Sequence, residues 1–84
     1  MPTVLRIHGW RLFFYANEGR EPPHIHARKG DVECKYWLDP DTFDIAQAYA
    51  FNMSPADRRA IRKIIFANFD LLVSEYQKLH HRGA

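Results

Sequence analysis

Eighty-four residues, 46% hydrophobic and 26% charged, describe a single folded domain spanning 1–84 and exclude both a disordered chain and a multidomain enzyme. The net charge is only +2, so any nucleic-acid surface has to come from where Lys and Arg fall and not from their total. One cysteine, Cys34, excludes an internal disulfide and a multi-cysteine zinc site; with no apolar run of membrane-spanning length and no signal-peptide layout before the first strand pattern, a cytoplasmic protein is expected.

The chain opens with Thr3-Val4-Leu5-Arg6-Ile7, a His8-Gly9 break, and Trp10-Arg11-Leu12-Phe13-Phe14-Tyr15. Two runs of β-forming residues around a glycine predict a hairpin. Alternation puts Leu5, Ile7, Leu12 and Phe14 on one face, and Val4, Arg6, Arg11, Phe13 and Tyr15 on the other. Asn17 to Pro23 holds a glycine and two prolines, which neither extend a strand nor build a helix, so it is expected to be a stiffened loop.

A second hairpin follows, His24 to Lys29 and Val32 to Leu38 around Gly30-Asp31. Gly30 at the first turn position suits a type II′ turn. That turn pairs Arg28 with Glu33, His26 with Lys35 and His24 with Trp37, and it sends Ile25, Ala27, Cys34 and Tyr36 to the opposite face. After the Asp39-Pro40-Asp41 turn, Phe43 to Phe51 alternates weakly and is expected to form a further strand. Ser54-Pro55-Ala56-Asp57 has the residues of a capped helix start. From there Ile61, Ile64, Ile65, Phe69, Leu72, Tyr76 and Leu79 keep helical spacing, which predicts one long C-terminal helix stopped by Gly83, with His80, His81 and Arg82 in its last turn.

The fold class predicted is therefore α+β: a small antiparallel sheet of two hairpins plus a further strand, packed on one long helix. The helix has to bury its stripe on one face of the sheet, expected to be Leu5, Ile7, Leu12, Phe14, Ile25, Ala27, Cys34 and Tyr36. The other face would carry Arg6, Arg11, Phe13, Tyr15, His24, His26, Arg28, Glu33, Lys35 and Trp37. Exposed rings among cations suit single-stranded RNA, with bases stacked on rings and phosphates met by cations. The same rings could equally bury against a partner protein or a second copy of the chain.

His24 and His26 stand two apart on one strand and point the same way. Three readings compete. As acid and base they could cleave RNA without metal, with Arg6, Arg11, Arg28 or Lys35 meeting the phosphate oxyanion and Glu33 orienting an imidazole. As a His-x-His half-site they would need further ligands from Glu21 or Glu33, since parity turns Cys34 away; no metal or other cofactor is expected. As structural residues they would pack on Trp37 and hydrogen-bond the loop. Further along, Arg58, Arg59, Arg62 and Lys63 set like charges at i,i+4 and oppose the helix macrodipole. A compensating anion, RNA phosphate or an acidic partner, would explain them; so would plain solvation.

The runs Met1 to Gly9, Phe13-Phe14-Tyr15, Glu21-Pro22-Pro23-His24-Ile25-His26 and Glu33 to Leu38, with the Arg-rich helix, resemble the bacterial family called domain of unknown function forty-one-sixty. Pro-Pro-His-Ile-His is the most specific part of the likeness. The resemblance brings no established activity. It implies a module of a two-gene, toxin–antitoxin-type pair with a cognate small protein partner. Two functions are carried forward: a toxin-like module that binds RNA on the basic aromatic face and cleaves it with His24 and His26, or a non-catalytic interaction domain for a partner or a homodimer.

Overall fold

A computed structural model describes residues 3–15 and 21–80, with His80 described in its backbone only. The chain before Thr3, the Asn17–Arg20 part of the loop, and the helix stop expected at His81, Arg82 and Gly83 lie outside the described residues. Five strands, β1 (Thr3–Ile7), β2 (Trp10–Phe13), β3 (His24–Lys29), β4 (Val32–Asp39) and β5 (Asp44–Phe51), form one antiparallel sheet in the order β1-β2-β3-β4-β5. Two helices follow, α1 (Pro55–Ala67) and α2 (Phe69–His80).

Both hairpins form where local chemistry demands them. His8 and Gly9 take φ of 52° and 83°, the double positive φ of a type I′ turn, and bring Ile7 opposite Trp10 and Leu5 opposite Leu12. Gly30 takes φ of 57° while Asp31 does not enter the left-handed region, the φ signs of a type II′ turn. The β3–β4 register is then Arg28↔Glu33, His26↔Lys35 and His24↔Trp37, as alternation and charge pairing predict. β5 is the further strand, but its weak alternation has a structural origin. Lys35 pairs with Tyr49 and Tyr36 with Gln47, so Ala48 is an extra, bulged residue. The bulge reverses parity, and Ile45 goes under the helices while Tyr49 goes to the other face.

The single long helix is corrected to two. Ser54 caps α1: its hydroxyl accepts the Asp57 N–H at 3.0 Å and the Asp57 carboxylate accepts the Ser54 N–H at 3.2 Å, a complete capping box. The break falls at Asn68, whose backbone sits at φ −122°, ψ 21°. Its side-chain amide donates to the Ile64 carbonyl at 2.9 Å, competing with the helical ladder in the way that makes asparagine a poor helix-interior residue. The Leu72 N–H still reaches the Asn68 carbonyl at 3.0 Å, so the hydrophobic stripe carries across the interruption.

That stripe packs on one sheet face. Leu12, Ile25, Ala27, Cys34, Tyr36, Ile61, Ile65 and Leu72 are wholly buried together, and Trp10, Phe14, Leu38, Ile45 and Phe69 close the core around them. Each fully buried isoleucine or leucine here contributes roughly 1.5–3 kcal/mol of transfer free energy. Leu5 and Ile7, expected in this core, are only half-buried because β1 is an outer strand of the sheet. Phe66 and Val73, off the main stripe, widen the contact.

Candidate functional site

The second face begins as the alternation requires: Phe13, His26 and Lys35 stand side by side across β2, β3 and β4, and Tyr49 extends the row onto β5. It is not open. His24 and His26 are 0% and 1% exposed, and Phe13 and Lys35 are also buried. The expectation of a solvent-facing platform at these four residues is corrected. Tyr15 and Glu21 supply part of the cover. The Tyr15 ring lies 4.6 Å from the His26 ring, edge to face. Glu21 comes down onto Lys35 in a close ion pair, and the ammonium also sits 4.3 Å from the centre of the Trp37 ring.

His26 has a ring on every side: Phe13 stacked at 5.5 Å, His24 at 5.2 Å and Tyr49 at 6.3 Å, with the Tyr49 hydroxyl 3.2 Å from Nδ1. His24 begins β3, where the sheet ends, and is touched from both faces. Trp37 approaches at 5.7 Å and Tyr76 of α2 at 5.3 Å. The His24 Nδ1 lies 3.0 Å from the Pro22 carbonyl. A carbonyl can only accept, so Nδ1 carries the proton and donates. Tyr76 donates its hydroxyl to the Glu21 carbonyl, and the Leu38 N–H donates to the Pro23 carbonyl at 2.8 Å. The double proline fits this role, because it crosses the sheet end with no N–H of its own to satisfy.

General acid–base catalysis needs an imidazole within hydrogen-bond reach of a substrate proton. Here both rings are enclosed by Phe13, Tyr15, Trp37, Tyr49 and Tyr76. The cluster holds the Glu21–Pro23 segment, the start of β3 and α2 in one piece. Among the described residues no group of three or more His, Cys, Asp or Glu side chains is placed to hold a metal ion. Cys34 lies on the helix face, where burial and, secondarily, the Glu33 charge push its thiol up to about 12.

The remaining sequence-predicted site residues divide into separate places. Arg6 and Arg11 pair across β1 and β2; Arg11 donates to the Thr3 hydroxyl at 2.8 Å and lies 4.7 Å over the Phe13 ring. Arg28 is exposed, 4.0 Å from Glu33. Arg58 and Arg62 belong to the other face altogether. They approach Tyr36, whose phenol is pushed up chiefly by burial and then by Cys34, with Arg62 and Arg58 pulling it back. Arg62 also lies 5.8 Å over the Phe66 ring. The arginines of α1 therefore do not share a surface with the histidines.

Comparison with known proteins adds a family. A family model described as Domain of unknown function (DUF4160) matches residues 9–77. The chain belongs to that family. No curated protein and no solved structure matches it.

In this DUF4160 domain, sequence reasoning missed the residues that close the histidine cluster from a distance, Tyr76 and Tyr49, and the surface left open. Phe43, just before β5, and Phe51, its last residue, are 55% and 59% exposed. Phe43 holds φ of 53°, an uncommon conformation for a phenylalanine, with its ring 4.7 Å from Phe69 and 5.7 Å from Phe66. Between Trp37, Pro22, Pro23, Pro40, Ile45 and Ala46 lies a cleft of about 630 Å³, with Asp39, Asp41 and Asp44 also on its walls. The one sequence signal for this region was the run of three alanines, Ala46, Ala48 and Ala50, too small to shield an edge. Among the described residues no helix is long and apolar enough to cross a membrane.

Proposed function

We propose that this DUF4160 domain is a non-catalytic interaction module that acts through a protein partner, as one component of a two-gene pair. The observation that carries this reading is β5. It is an outer strand of the sheet, eight residues long, and it bears no charge from Ile45 to Ser54. Ala46, Gln47, Ala48 and Phe51 are all exposed. Proteins that work alone protect such edges with lysine, proline or a covering loop. The enclosed imidazoles support the same choice, since they serve packing and hydrogen bonding and leave no opening for a substrate.

The test is co-expression with the products of the genes that flank it, followed by co-purification and size-exclusion chromatography. Ala48→Lys adds a charge at an exposed bulge and should release the partner with circular dichroism unchanged. Co-elution that survives both Ala48→Lys and Phe51→Asp would refute the reading.

RNA binding keeps one specific observation in its favour: Arg58, Arg59 and Lys63 are exposed, and among the described residues they join no ion pair. A phosphate site there would weaken steeply with salt. Cleavage of an oligoribonucleotide, lost in a folded His26→Gln variant, would restore the toxin reading in place of the interaction module.

A further inference from the structure

The partner surface has two sides of different chemistry, and they constrain what can occupy it. After β5 the chain turns back at Asn52-Met53-Ser54 into α1, whose Phe66 returns to Phe43 at the start of β5. α1 therefore runs back along β5 on the core face. Arg62 and Arg58 are near Tyr36, which is paired with Gln47 of β5 and gives its hydroxyl to the Gln47 side chain at 3.2 Å. A strand added outside β5 would neighbour Gln47 on that face, with these cations over Tyr36 one strand further in. On the opposite face it would meet Tyr49 and Phe51, whose rings are 5.4 Å apart, and the cleft beside Trp37 and Ala46.

We infer that the occupant is an extended segment of another protein that adds as a sixth strand to β5, with acidic side chains toward Arg58 and Arg62 and apolar side chains toward the Trp37 cleft and Phe51. This inference rests on the interaction-module reading and specifies its partner. The main chain supplies the pairing, because no described strand takes the outward N–H and C=O groups of β5. At the strand's start the Asp44 carboxylate already accepts the Ile45 N–H at 2.8 Å, so the open ladder continues from there, and the Ala48 bulge keeps it short. The cleft is large enough for one aromatic or branched anchor.

A second copy fits less well. Pairing β5 with β5 of another chain in a continuous antiparallel sheet puts the two-fold axis perpendicular to the sheet, and both helical layers fall on the same side. The two α1 helices would then flank the seam with Arg58 and Arg62 facing their own counterparts. Neither Ile45, Gln47 nor Ala50 offers an acid to offset that repulsion. An acidic strand meets the same cations with opposite charge, which steers encounter and fixes register.

The experiment uses the full chain and three short synthetic peptides: one alternating glutamate with valine around a single phenylalanine, one with lysine replacing glutamate, and the acidic peptide N-methylated at alternate amides. Fluorescence anisotropy and amide-resolved NMR should show the acidic peptide at least tenfold tighter than the lysine peptide. Shifts and hydrogen-exchange protection should fall on Gln47 and Ala48, and the N-methylated peptide should not bind. Arg58→Glu should reverse the preference, and Arg62→Gln, a milder change at a half-buried site, should reduce it. No acidic preference, equal binding of the N-methylated peptide, or a concentration-dependent dimer blocked by Ala48→Lys would each overturn the inference. A natural partner released by Ala48→Lys yet indifferent to Arg58→Glu would remove the acidic strand and leave the interaction module standing. Failure of that partner to bind at all would remove the module.

Discussion

Replacing His26 with alanine separates a packed imidazole from a reactive one. The ring is 1% exposed and sits among Phe13, Tyr15, His24 and Tyr49 at 4.6–6.3 Å between centroids. Truncating a buried aromatic to alanine costs about 3–5 kcal/mol, and imidazole is the smallest of these rings, so about 3 kcal/mol is expected. The Tyr49 hydroxyl loses its ring nitrogen but is half-exposed and turns to water, adding little. A domain of this length has about 4–12 kcal/mol of stability in all, so the loss is a large share of it. At about 4–8 °C per kcal/mol, the melting temperature should fall by about 12–24 °C.

Urea unfolding followed by the fluorescence of Trp10 and Trp37 gives the comparison directly. The midpoint should drop with the slope unchanged, which marks a change in stability and not in the unfolded state. His26→Phe restores an aromatic ring but is larger than imidazole and gives up the bond to Tyr49, so it should cost about 1–2 kcal/mol, less than His26→Ala. A His26→Ala protein that unfolds within about 0.5 kcal/mol of the natural one would refute the argument. The imidazole would then be dispensable to the fold, and an active role would again be the better account of it.

Tyr76→Phe removes only the hydroxyl that α2 donates to the Glu21 carbonyl, and urea unfolding should register a loss of about 1 kcal/mol. Ser54→Ala breaks both halves of the capping box and should cost about 1 kcal/mol, read by the same assay, with helical ellipticity lost first near α1. Cys34 should resist alkylation in the native state and react only in denaturant, because burial holds its thiol well above 9.0. Its folded value is raised to about 12, so the stability it contributes is complete below about pH 9 and is lost as pH climbs toward 12. Alkaline unfolding curves should show that decline, and Cys34→Ala should flatten it.

The β-layer was legible because its signals are local. Gly9 and Gly30 mark turns that only positive φ allows, and each turn fixes a register, so Arg28 meets Glu33 and His26 meets Lys35 without any knowledge of the tertiary structure. The helix break was less visible. Ile64, Ile65, Phe69 and Leu72 keep their spacing through Asn68, so periodicity has no gap to report, and only the competition between one amide side chain and the ladder interrupts the helix. The Ala48 bulge escaped for the same reason in reverse. Between alanines, one extra residue leaves no mark on a hydrophobic pattern.

For the candidate site, alternation set Phe13, His26 and Lys35 in one row and said nothing about what lies over that row. His26 takes the face parity requires, with Tyr15 over it, whereas His24 at the sheet end meets Phe14 and Tyr76 of the core as well as Glu21 and Trp37. In the same cluster the Tyr76 hydroxyl bonds to Glu21, 55 positions away, beyond the reach of any spacing rule.

The most specific stretch of the family likeness, Pro22-Pro23-His24-Ile25-His26, then has a physical task, shared with Glu21, that does not require chemistry at the imidazoles. A five-stranded sheet with helices on one side leaves its other side wet, and this chain sets no described helix over it. It closes part of that side with a loop instead. Prolines cross the sheet end without stranded donors, a glutamate neutralises the buried Lys35, and two histidines fill the space while bonding to a carbonyl and a phenol. With both faces occupied near β3, the place left for another molecule is the margin of the sheet. Of its two outer strands, β1 carries the exposed Arg6 and β5 from Ile45 onward carries no charge at all. A strand that seeks a neighbour through its main chain would find fewer obstacles along β5, and the arginines of α1 beside it decide the charge that neighbour has to bring.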